Sequence, residues 1–164
     1  MKNIVSLFFV LIFIQSCSKK DNQEANVHLV EQYVQAVENL DHDIMESLLA
    51  DTYIGYGPSY GDSINKVDAI ANWKKNVENL YENITYNKSR IFPVSVPDGE
   101  NKGEWVSNWA ELHIKYKEDF KEVNIWANSI YKIENGKIVK SFTFYNEADA
   151  LEQLGYMFVY FNDL

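Results

Sequence analysis

The spacing of apolar residues changes once along this chain, close to Glu82. Before that point, apolar residues recur at the three- and four-residue intervals of an amphipathic helix, as in Val27, Val30, Val34 and Val37. After it, apolar and polar residues alternate in runs that are typical of strands. A chain that places its helices before its strands, and joins the strands mostly by hairpins, favours an α+β fold in which the helices pack on an antiparallel sheet.

Three helices are predicted before the change in spacing. Asn26 can cap the first helix, Asp41 the second and Asn65 the third, because a short polar side chain can accept hydrogen bonds from the free N–H groups of the first turn. Between the second and third helices, the segment from Asp51 to Tyr60 contains Tyr, Gly and Pro, and it predicts a short strand that runs into a loop.

Four strands are predicted after the change in spacing, over residues 84–92, 104–117, 122–133 and 137–145. Asn135-Gly136 lies between the last two strands, and this pair indicates a two-residue hairpin turn because both positions need a positive φ. Asn146 can cap a short closing helix that ends near Gly155. A sheet of long strands must curve to cover three helices, so we expect a cone whose concave face holds any pocket.

The composition fits a single globular domain and excludes several classes of protein. Hydrophobic residues make up 46% of the chain and aromatic residues 15%, which is enough to form a packed core. The formal net charge of −9 at pH 7 argues against nucleic-acid binding, which relies on Lys and Arg side chains to neutralise phosphates. The His residues show no metal-ligand spacing and the chain has no glycine-rich phosphate loop, so neither a metal nor a cofactor is predicted.

The N-terminus resembles the signal peptide of a bacterial lipoprotein. An apolar run over residues 4–14 rises about 16 Å as a helix, roughly half the thickness of a bilayer core, which is typical of a cleaved export signal. Ile14-Gln15-Ser16-Cys17 then resembles a lipobox, and it contains the one Cys of the chain. We predict a signal peptide over residues 1–16, lipidation of Cys17 and a flexible tether over residues 17–25. A plain secretory signal with an unrelated Cys is the alternative.

The residues that follow Cys17 indicate where the protein would be held. Ser18, rather than Asp, follows the cysteine, which resembles the pattern of lipoproteins destined for the outer membrane. The tract rich in Lys and acidic residues as far as Glu24 is similar to the surface-export tethers of Bacteroidetes lipoproteins. These resemblances imply a cell-envelope protein attached to the outer membrane by its acyl chains, facing the periplasm or the cell surface.

The order of the predicted elements and the closing hairpin resemble the SnoaL-like branch of the nuclear transport factor 2-like superfamily. The segments that carry the resemblance are Val30-Glu31-Gln32-Tyr33-Val34, Leu48-Leu49-Ala50-Asp51, Tyr53 to Pro58, the helix from Lys66, Asn135-Gly136-Lys137-Ile138-Val139, Phe144-Tyr145-Asn146 and Gln153-Leu154-Gly155. The resemblance covers residues 26–155, which we predict to be the domain.

This resemblance implies both an architecture and a range of functions. The implied fold is a curved, mostly antiparallel sheet wrapped around three helices to form a cone, a cystatin-like arrangement that is commonly dimeric through the outer face of the sheet. A homodimer is therefore expected. Isomerases, cyclases, dehydratases, hydrolases and non-catalytic binders all occur in this superfamily, so the fold leaves the function open.

The aromatic residues are numerous enough to line a cavity for an apolar or ringed ligand. The predicted pocket residues are Tyr53, Tyr56, Trp73, Trp105, Trp109, Trp126, Phe142, Phe144 and Asn146. The alternative is that these rings fill the core of a small, aromatic-rich domain and leave no space for a ligand.

Glu111 and His113 are the candidate acid–base pair. They lie on the same face of the predicted strand 104–117 as Trp105, Ser107 and Trp109. If this face lined the cone, its apolar surroundings would raise the pKa of a carboxyl group and suit it to proton transfer. The opposite face carries a more apolar set, namely Val106, Ala110, Leu112 and Ile114. The alternative therefore places the candidate pair on a solvated or dimer-facing stripe.

Asn146 weakens the case for catalysis. Catalytic SnoaL-like proteins often end the corresponding strand with two aromatic residues and an aspartate that acts as acid or base, whereas here an amide follows Phe144-Tyr145. An amide cannot exchange a proton near neutral pH. We therefore predict a lipid-anchored domain that binds a small apolar or ringed molecule without catalysis. The alternatives are a cofactor-free isomerase, dehydratase or cyclase, and a structural or partner-binding envelope lipoprotein.

Residues 156–164 form a strongly apolar C-terminal segment. An apolar segment of this length promotes aggregation when it is exposed to water. We expect the segment to pack on the domain or to be buried in a homodimer.

Overall fold

The computed structural model describes residues 21–159. The predicted signal peptide, Cys17 and the first residues of the predicted tether lie outside this range. The described elements, in chain order, are α1 (21–38), α2 (His42–Leu48), β1 (Leu49–Tyr56), β2 (Ser63–Asn65), α3 (Lys66–Asn79), β3 (Tyr81–Val96), β4 (Gly103–Tyr116), β5 (Glu122–Glu134), β6 (Lys137–Tyr145) and α4 (Glu147–Gln153). None of these helices is both long and apolar enough to cross a membrane.

Six strands form one curved, mixed sheet in the order β2-β1-β6-β5-β4-β3. β1 and β6 run parallel, and all other neighbouring strands in the sheet are antiparallel. The main core lies between this sheet and the helices, where Val30 of α1 belongs to the same buried cluster as Val106 and Ile138 of the sheet. The predicted α+β fold, with a curved and mostly antiparallel sheet covering helices, is confirmed.

Local sequence signals account for several element boundaries. Asp41, Asn65 and Asn146 each accept a hydrogen bond from a backbone N–H group in the first turn of the helix that follows, so these predicted caps are confirmed. Asn135 and Gly136 have φ values of 52° and 70°, and they connect β5 to β6. The predicted hairpin turn is therefore confirmed as well.

Three boundaries differ from the prediction. The chain is already helical at residue 21, before the predicted cap Asn26. Residues 21–25 are thus part of α1 and not a tether. β2 is absent from the prediction because three residues are too few to show an alternating pattern. β3 continues through Pro93 to Val96, since an edge strand can accommodate a residue that lacks the N–H group.

The strands alternate between an inner face, which packs on the helices, and an outer face. In β4 the inner face carries Val106, Leu112 and Ile114, which pack in or against the core cluster. Trp109 and Glu111 occupy the intervening positions on the outer face. This division decides which predicted residues can reach the interior of the cone.

The described part of the C-terminal segment, residues 156–159, is exposed. Each of its side chains is at least 60% exposed, so these residues add little to the core of the domain. The segment begins directly after a helix end closed by Gly155, which has a φ of 93°. Burial of this segment in a dimer stays a prediction.

Candidate functional site

A cavity of about 300 Å³ lies on the inner face of the sheet, bounded by side chains of α3 and α4. Its aromatic lining consists of Trp73, Tyr81, Tyr86, Tyr116 and Tyr145. Its aliphatic lining consists of Val37, Ile84, Leu112, Ile114, Val123, Ile125, Ala150, Leu151 and Leu154. Thr143 and Glu147 complete the lining. We call this space the inner cavity.

Alternation along the strands brings most of these side chains together. Leu112, Ile114 and Tyr116 are successive inner-face positions of β4, and Val123 and Ile125 occupy the equivalent positions of β5. Because β4 pairs with β5 in antiparallel register, with Leu112 opposite Ile125, the two sets form one continuous apolar floor.

The short helix α4 forms one wall of the inner cavity, and its last turn is tied to β5. The Gln153 side chain donates to the carbonyl oxygen of Asn124 at 3.0 Å and accepts from the N–H group of the same residue at 2.9 Å. β6 ends at Tyr145, which pairs with Ala127 of β5, so Asn124 has no partner residue on β6. The side-chain amide of Gln153 takes the place of that partner. Lys121 also donates to the carbonyl oxygen of Leu154 at 2.8 Å. These contacts hold the lining residues of α4 over the sheet.

Three aromatic rings follow one another along part of the cavity lining. The ring centroids of Trp73 and Tyr81 are 5.6 Å apart, and those of Tyr81 and Tyr116 are 5.7 Å apart. The Nε1 atom of Trp73 is buried and has no hydrogen-bond partner among the described residues. This part of the lining is therefore mainly aromatic ring surface.

The tyrosines of the inner cavity stay protonated at physiological pH. Burial raises the pKa of Tyr81 to about 12, with smaller contributions from Tyr116 and Tyr145. Burial is also the main cause that raises the pKa of Tyr86, Tyr116 and Tyr145 above the ordinary value. Their hydroxyl groups can donate or accept hydrogen bonds without adding charge to the cavity.

Glu147 is the one ionisable carboxyl group that lines the inner cavity in the described part of the chain. Its Oε2 atom accepts a hydrogen bond from the Ser59 hydroxyl at 3.1 Å, and the residue is exposed at the start of α4. A second carboxyl group, that of Glu38, accepts from the backbone N–H group of Tyr86 at 2.8 Å and is not among the lining residues. The cavity is thus largely uncharged.

Glu111 and His113 lie on the outer face, away from the inner cavity. Glu111 accepts a hydrogen bond from Lys88 at 2.6 Å, and Nδ1 of His113 lies 2.9 Å from Oδ1 of Asn124. The catalytic use of this pair was predicted only for the case in which their strand face lines the cone. Their face of β4 does not line it. The apolar character of the opposite face of β4 correctly indicated which face packs on the helices.

Most of the predicted pocket aromatics also lie outside the inner cavity. Trp73 alone of the predicted set is among the residues that line this cavity. Tyr53 is buried in the core, where its hydroxyl lies 2.7 Å from that of Ser141. Asn146 caps α4 and is exposed.

The remaining predicted aromatics follow the outer face of the sheet. Phe142 stacks between Tyr56 and Trp105, with ring centroids 4.7 and 6.0 Å away. Trp105 is buried there because its ring N–H donates to the carbonyl oxygen of Asn101 in the β3–β4 loop at 2.7 Å. These rings pack on one another, and they do not face the helices.

Trp109, Trp126 and Phe144 form an exposed patch on the outer face, which we call the outer aromatic patch. The three residues are 53%, 61% and 53% exposed. Together with Asn128 they line a shallow depression. Lys88 lies over the ring of Trp126 at 5.5 Å.

The sequence analysis did not include the tyrosines that line the inner cavity among its candidate site residues. Tyr116 shares its strand face with Leu112 and Ile114, and Tyr145 lies one position beyond Phe144, on the other face of β6. Strand parity was the signal that could have found them. Among residues 21–159, no cluster of His, Cys, Asp or Glu side chains could hold a metal ion.

No family model and no curated protein matches this chain. Solved structures do match it. A candidate polyketide cyclase from Xanthomonas campestris superposes with a TM-score of 0.66 at 15% identity, over 81% of this chain and 98% of that one. A candidate SnoaL-like polyketide cyclase from Shewanella denitrificans gives 0.62 at 14% identity, over 78% and 95%. The chain has the nuclear transport factor 2-like fold.

The nuclear transport factor 2-like fold was expected from the order of the elements, and that expectation is confirmed. The fold also occurs in an epoxide hydrolase-like protein from Mycobacterium tuberculosis, which superposes with a TM-score of 0.59 at 13% identity over 81% of this chain and 91% of that one. Proteins of this fold thus carry different activities, and these identities establish a common architecture alone.

Proposed function

We propose that this domain binds a small apolar or ringed molecule in the inner cavity. The observation that carries the proposal is a space of about 300 Å³ lined by aromatic and aliphatic side chains. Ligand sites in proteins typically occupy about 300–1,000 Å³ and combine an apolar lining with a few polar groups. The tyrosine hydroxyls would supply those polar groups.

We propose binding without catalysis, because the lining offers no well-placed acid or base. Within residues 21–159, the titratable groups of the lining are tyrosines whose pKa values are raised and the exposed Glu147. The solved structures named as polyketide cyclases supply an alternative, a cofactor-free cyclase or isomerase. In this chain such an enzyme would have to use Glu147 for proton transfer, since Glu111 and His113 lie on the outer face.

The proposed function predicts that filling the inner cavity abolishes ligand binding. Ala150→Phe adds a ring to the cavity wall, whereas Ala148→Phe adds the same ring to an exposed position of the same helix. The probe is N-phenyl-1-naphthylamine, which fluoresces in apolar surroundings. We expect the chain from Ser18 onward to bind it with a Kd on the order of 10 μM. Ala150→Phe should weaken binding at least about tenfold, and Ala148→Phe should leave it unchanged.

The matched pair also controls for binding at the outer aromatic patch, because neither substitution touches that surface. Equal binding by the two variants would show that the probe does not occupy the inner cavity, and it would contradict the proposal. Circular dichroism spectra of both variants would verify that α4 and the sheet remain folded.

We further propose that acyl chains on Cys17 hold the domain at the outer membrane of the cell envelope. The support is the sequence alone, namely the apolar run, the lipobox-like residues and the polar tract that follows. In a bacterial host, Cys17→Ser should prevent acylation and shift the protein from the membrane fraction to the soluble fraction. Retention of the variant in the membrane fraction would contradict this part of the proposal.

Finally, we propose that two copies pair through the outer aromatic patch. The support is the exposure of Trp109, Trp126 and Phe144 on the open face of the sheet. Aromatic residues are enriched at the centres of protein interfaces, where their burial contributes most of the binding free energy.

A further inference from the structure

We infer that Phe161 docks in a groove beside the end of α4 and so holds the C-terminal segment against the domain. This groove is separate from the inner cavity, and the inference goes beyond the proposed function. The occupant is the chain's own segment 160–164, which lies outside the described range 21–159.

The groove is a space of about 310 Å³, which we call the α4 groove. Its apolar lining consists of Leu80, Tyr116, Leu154 and Tyr156. Its remaining lining consists of Glu118, Asp119, Lys121 and Gly155. An apolar cavity of roughly 150 Å³ is enough to hold benzene, so the α4 groove has room for the phenyl ring of Phe161.

The apolar floor of the α4 groove is open to an occupant. Leu80, Tyr116 and Leu154 are half-buried, so part of each side chain still faces the groove. Tyr116 and Leu154 also line the inner cavity. A ring docked in the α4 groove would therefore pack against side chains that form the wall of that cavity.

Hydrogen bonds fix the walls of the α4 groove. The N–H group of Lys117 donates to the carbonyl oxygen of Leu80 at 2.9 Å, which ties the turn between β4 and β5 to the end of α3. Lys121 ties the same turn to the end of α4 through its hydrogen bond to Leu154. An occupant would meet a preformed surface, so little conformational entropy would be lost in ordering the walls.

The C-terminal segment starts at the edge of the α4 groove. The N–H group of Tyr156 donates to the carbonyl oxygen of Leu151 at 3.0 Å, and this contact closes α4 and sets the direction in which the chain leaves it. Phe161 lies five residues beyond Tyr156, and five extended residues span up to about 17 Å. The ring of Phe161 can therefore reach the α4 groove while the domain keeps its structure.

The exposed residues of the segment give it a reason to dock. Residues 156–159 are between 60% and 87% exposed, and Tyr160-Phe161 continues the apolar run. Contiguous apolar surface is unfavourable in water. Packing of the Phe161 ring against Leu80 and Leu154 would remove part of this surface from water.

A second copy of the chain and a lipid surface are the competing occupants of the α4 groove. The chain's own segment has the advantage over a second copy, because a short flexible tether gives it an effective concentration on the order of 1 mM. A lipid surface is disfavoured, because Glu118 and Asp119 in the lining would repel anionic headgroups.

The test is an NMR measurement on the chain from Ser18 onward, with labelled Leu methyl groups. We expect NOEs from the ring of Phe161 to the methyl groups of Leu80 and Leu154. Phe161→Ser should remove these NOEs and lower the midpoint of thermal unfolding by about 4 °C or more, because a buried ring is lost. Phe158→Ser, the matched control, makes the same change at an exposed position of the segment and should leave both measurements unchanged.

Two further samples test the competing occupants. Methyl-labelled Phe161→Ser chains are mixed with unlabelled, unaltered chains, so that NOEs to Leu80 and Leu154 could come only from the segment of another copy. We expect none. Flotation with vesicles of phosphatidylcholine and phosphatidylglycerol tests the lipid surface, and we expect neither the unaltered chain nor Phe161→Ser to float.

Three results would overturn the inference. Absence of NOEs from Phe161 to Leu80 and Leu154 in the unaltered chain would show that the ring does not dock. NOEs in the mixed sample would assign the α4 groove to a second copy. Flotation of the unaltered chain that Phe161→Ser abolishes would assign the segment to a lipid surface. None of these results bears on the proposed function, because the measurements involve no ligand of the inner cavity.

Discussion

Between pH 10 and pH 12 the free energy of unfolding is expected to fall by at least about 2 kcal/mol. The reason is that Tyr81 ionises near its ordinary pKa of 10.0 in the unfolded chain, whereas burial raises its pKa to about 12 in the folded chain. Below pH 10 the hydroxyl is protonated in both states, and the full stability is present. As the pH rises from 10 to 12, ionisation stabilises the unfolded chain alone.

Other buried tyrosines should steepen this loss of stability. Burial is the largest cause of the raised pKa in each of them, namely Tyr33, Tyr53, Tyr86, Tyr116, Tyr131 and Tyr145. Because several of these residues line or adjoin the inner cavity, the alkaline transition reports on the same part of the molecule as ligand binding.

Urea denaturation at pH 9, 10, 11 and 12 measures the effect. Tyr81→Phe should reduce the loss between pH 10 and pH 12 by about 2 kcal/mol, because it removes one of the ionising groups. The matched control is Tyr60→Phe, which removes a hydroxyl from a fully exposed loop position and should leave the profile unchanged. A profile that stays flat to pH 12 would contradict the burial of these hydroxyl groups.

Trp126→Glu is expected to weaken the proposed dimer by about 30-fold or more, because a buried Trp at the centre of an interface commonly contributes at least 2 kcal/mol. Trp126 lies in the outer aromatic patch, and it is 61% exposed in the single chain, so the charge is tolerated in a monomer. In a dimer, the same charge would have to be buried, and the nearby Lys88 ammonium already pairs with Glu111. The Glu111 carboxyl group on the neighbouring strand would add repulsion.

Sedimentation equilibrium over a range of concentrations gives the dissociation constant. The matched control is Tyr60→Glu, which introduces the same charge at an exposed aromatic residue outside the sheet. We expect a dimer for the unaltered chain and the control, and a monomer for Trp126→Glu at the same concentration. An unaltered chain that sediments as a monomer at every concentration would overturn the proposed pairing.

The fold could be predicted because local signals and the order of elements agree. Helix caps such as Asp41 and Asn65 and the turn at Asn135-Gly136 all occur where the sequence indicates them. The structure differs from the prediction at positions where the place of a residue in the sheet outweighs its local sequence pattern. Pro93 ends a strand by propensity, yet its position on an edge strand removes the cost of its missing N–H group.

The site could be predicted only in part, because alternation defines two sets of side chains without stating which set faces the helices. In β4, one set contains the ionisable residues Glu111 and His113, and the other contains the apolar residues Leu112 and Ile114. The apolar set faces inward. Tyrosine makes the inward-facing set harder to identify, since its ring suits an interior and its hydroxyl suits a surface. Both parts of the side chain occur in the lining of the inner cavity.

The most direct measurement is the position of a bound probe relative to the two faces of the sheet. In a chain with labelled Ile and Leu methyl groups, intermolecular NOEs from N-phenyl-1-naphthylamine can distinguish Leu112 and Ile125 in the inner cavity from Ile130 on the outer face. The proposed function predicts NOEs to Leu112 and Ile125 and none to Ile130. NOEs confined to Ile130 would show that the outer aromatic patch, and not the inner cavity, binds the ligand.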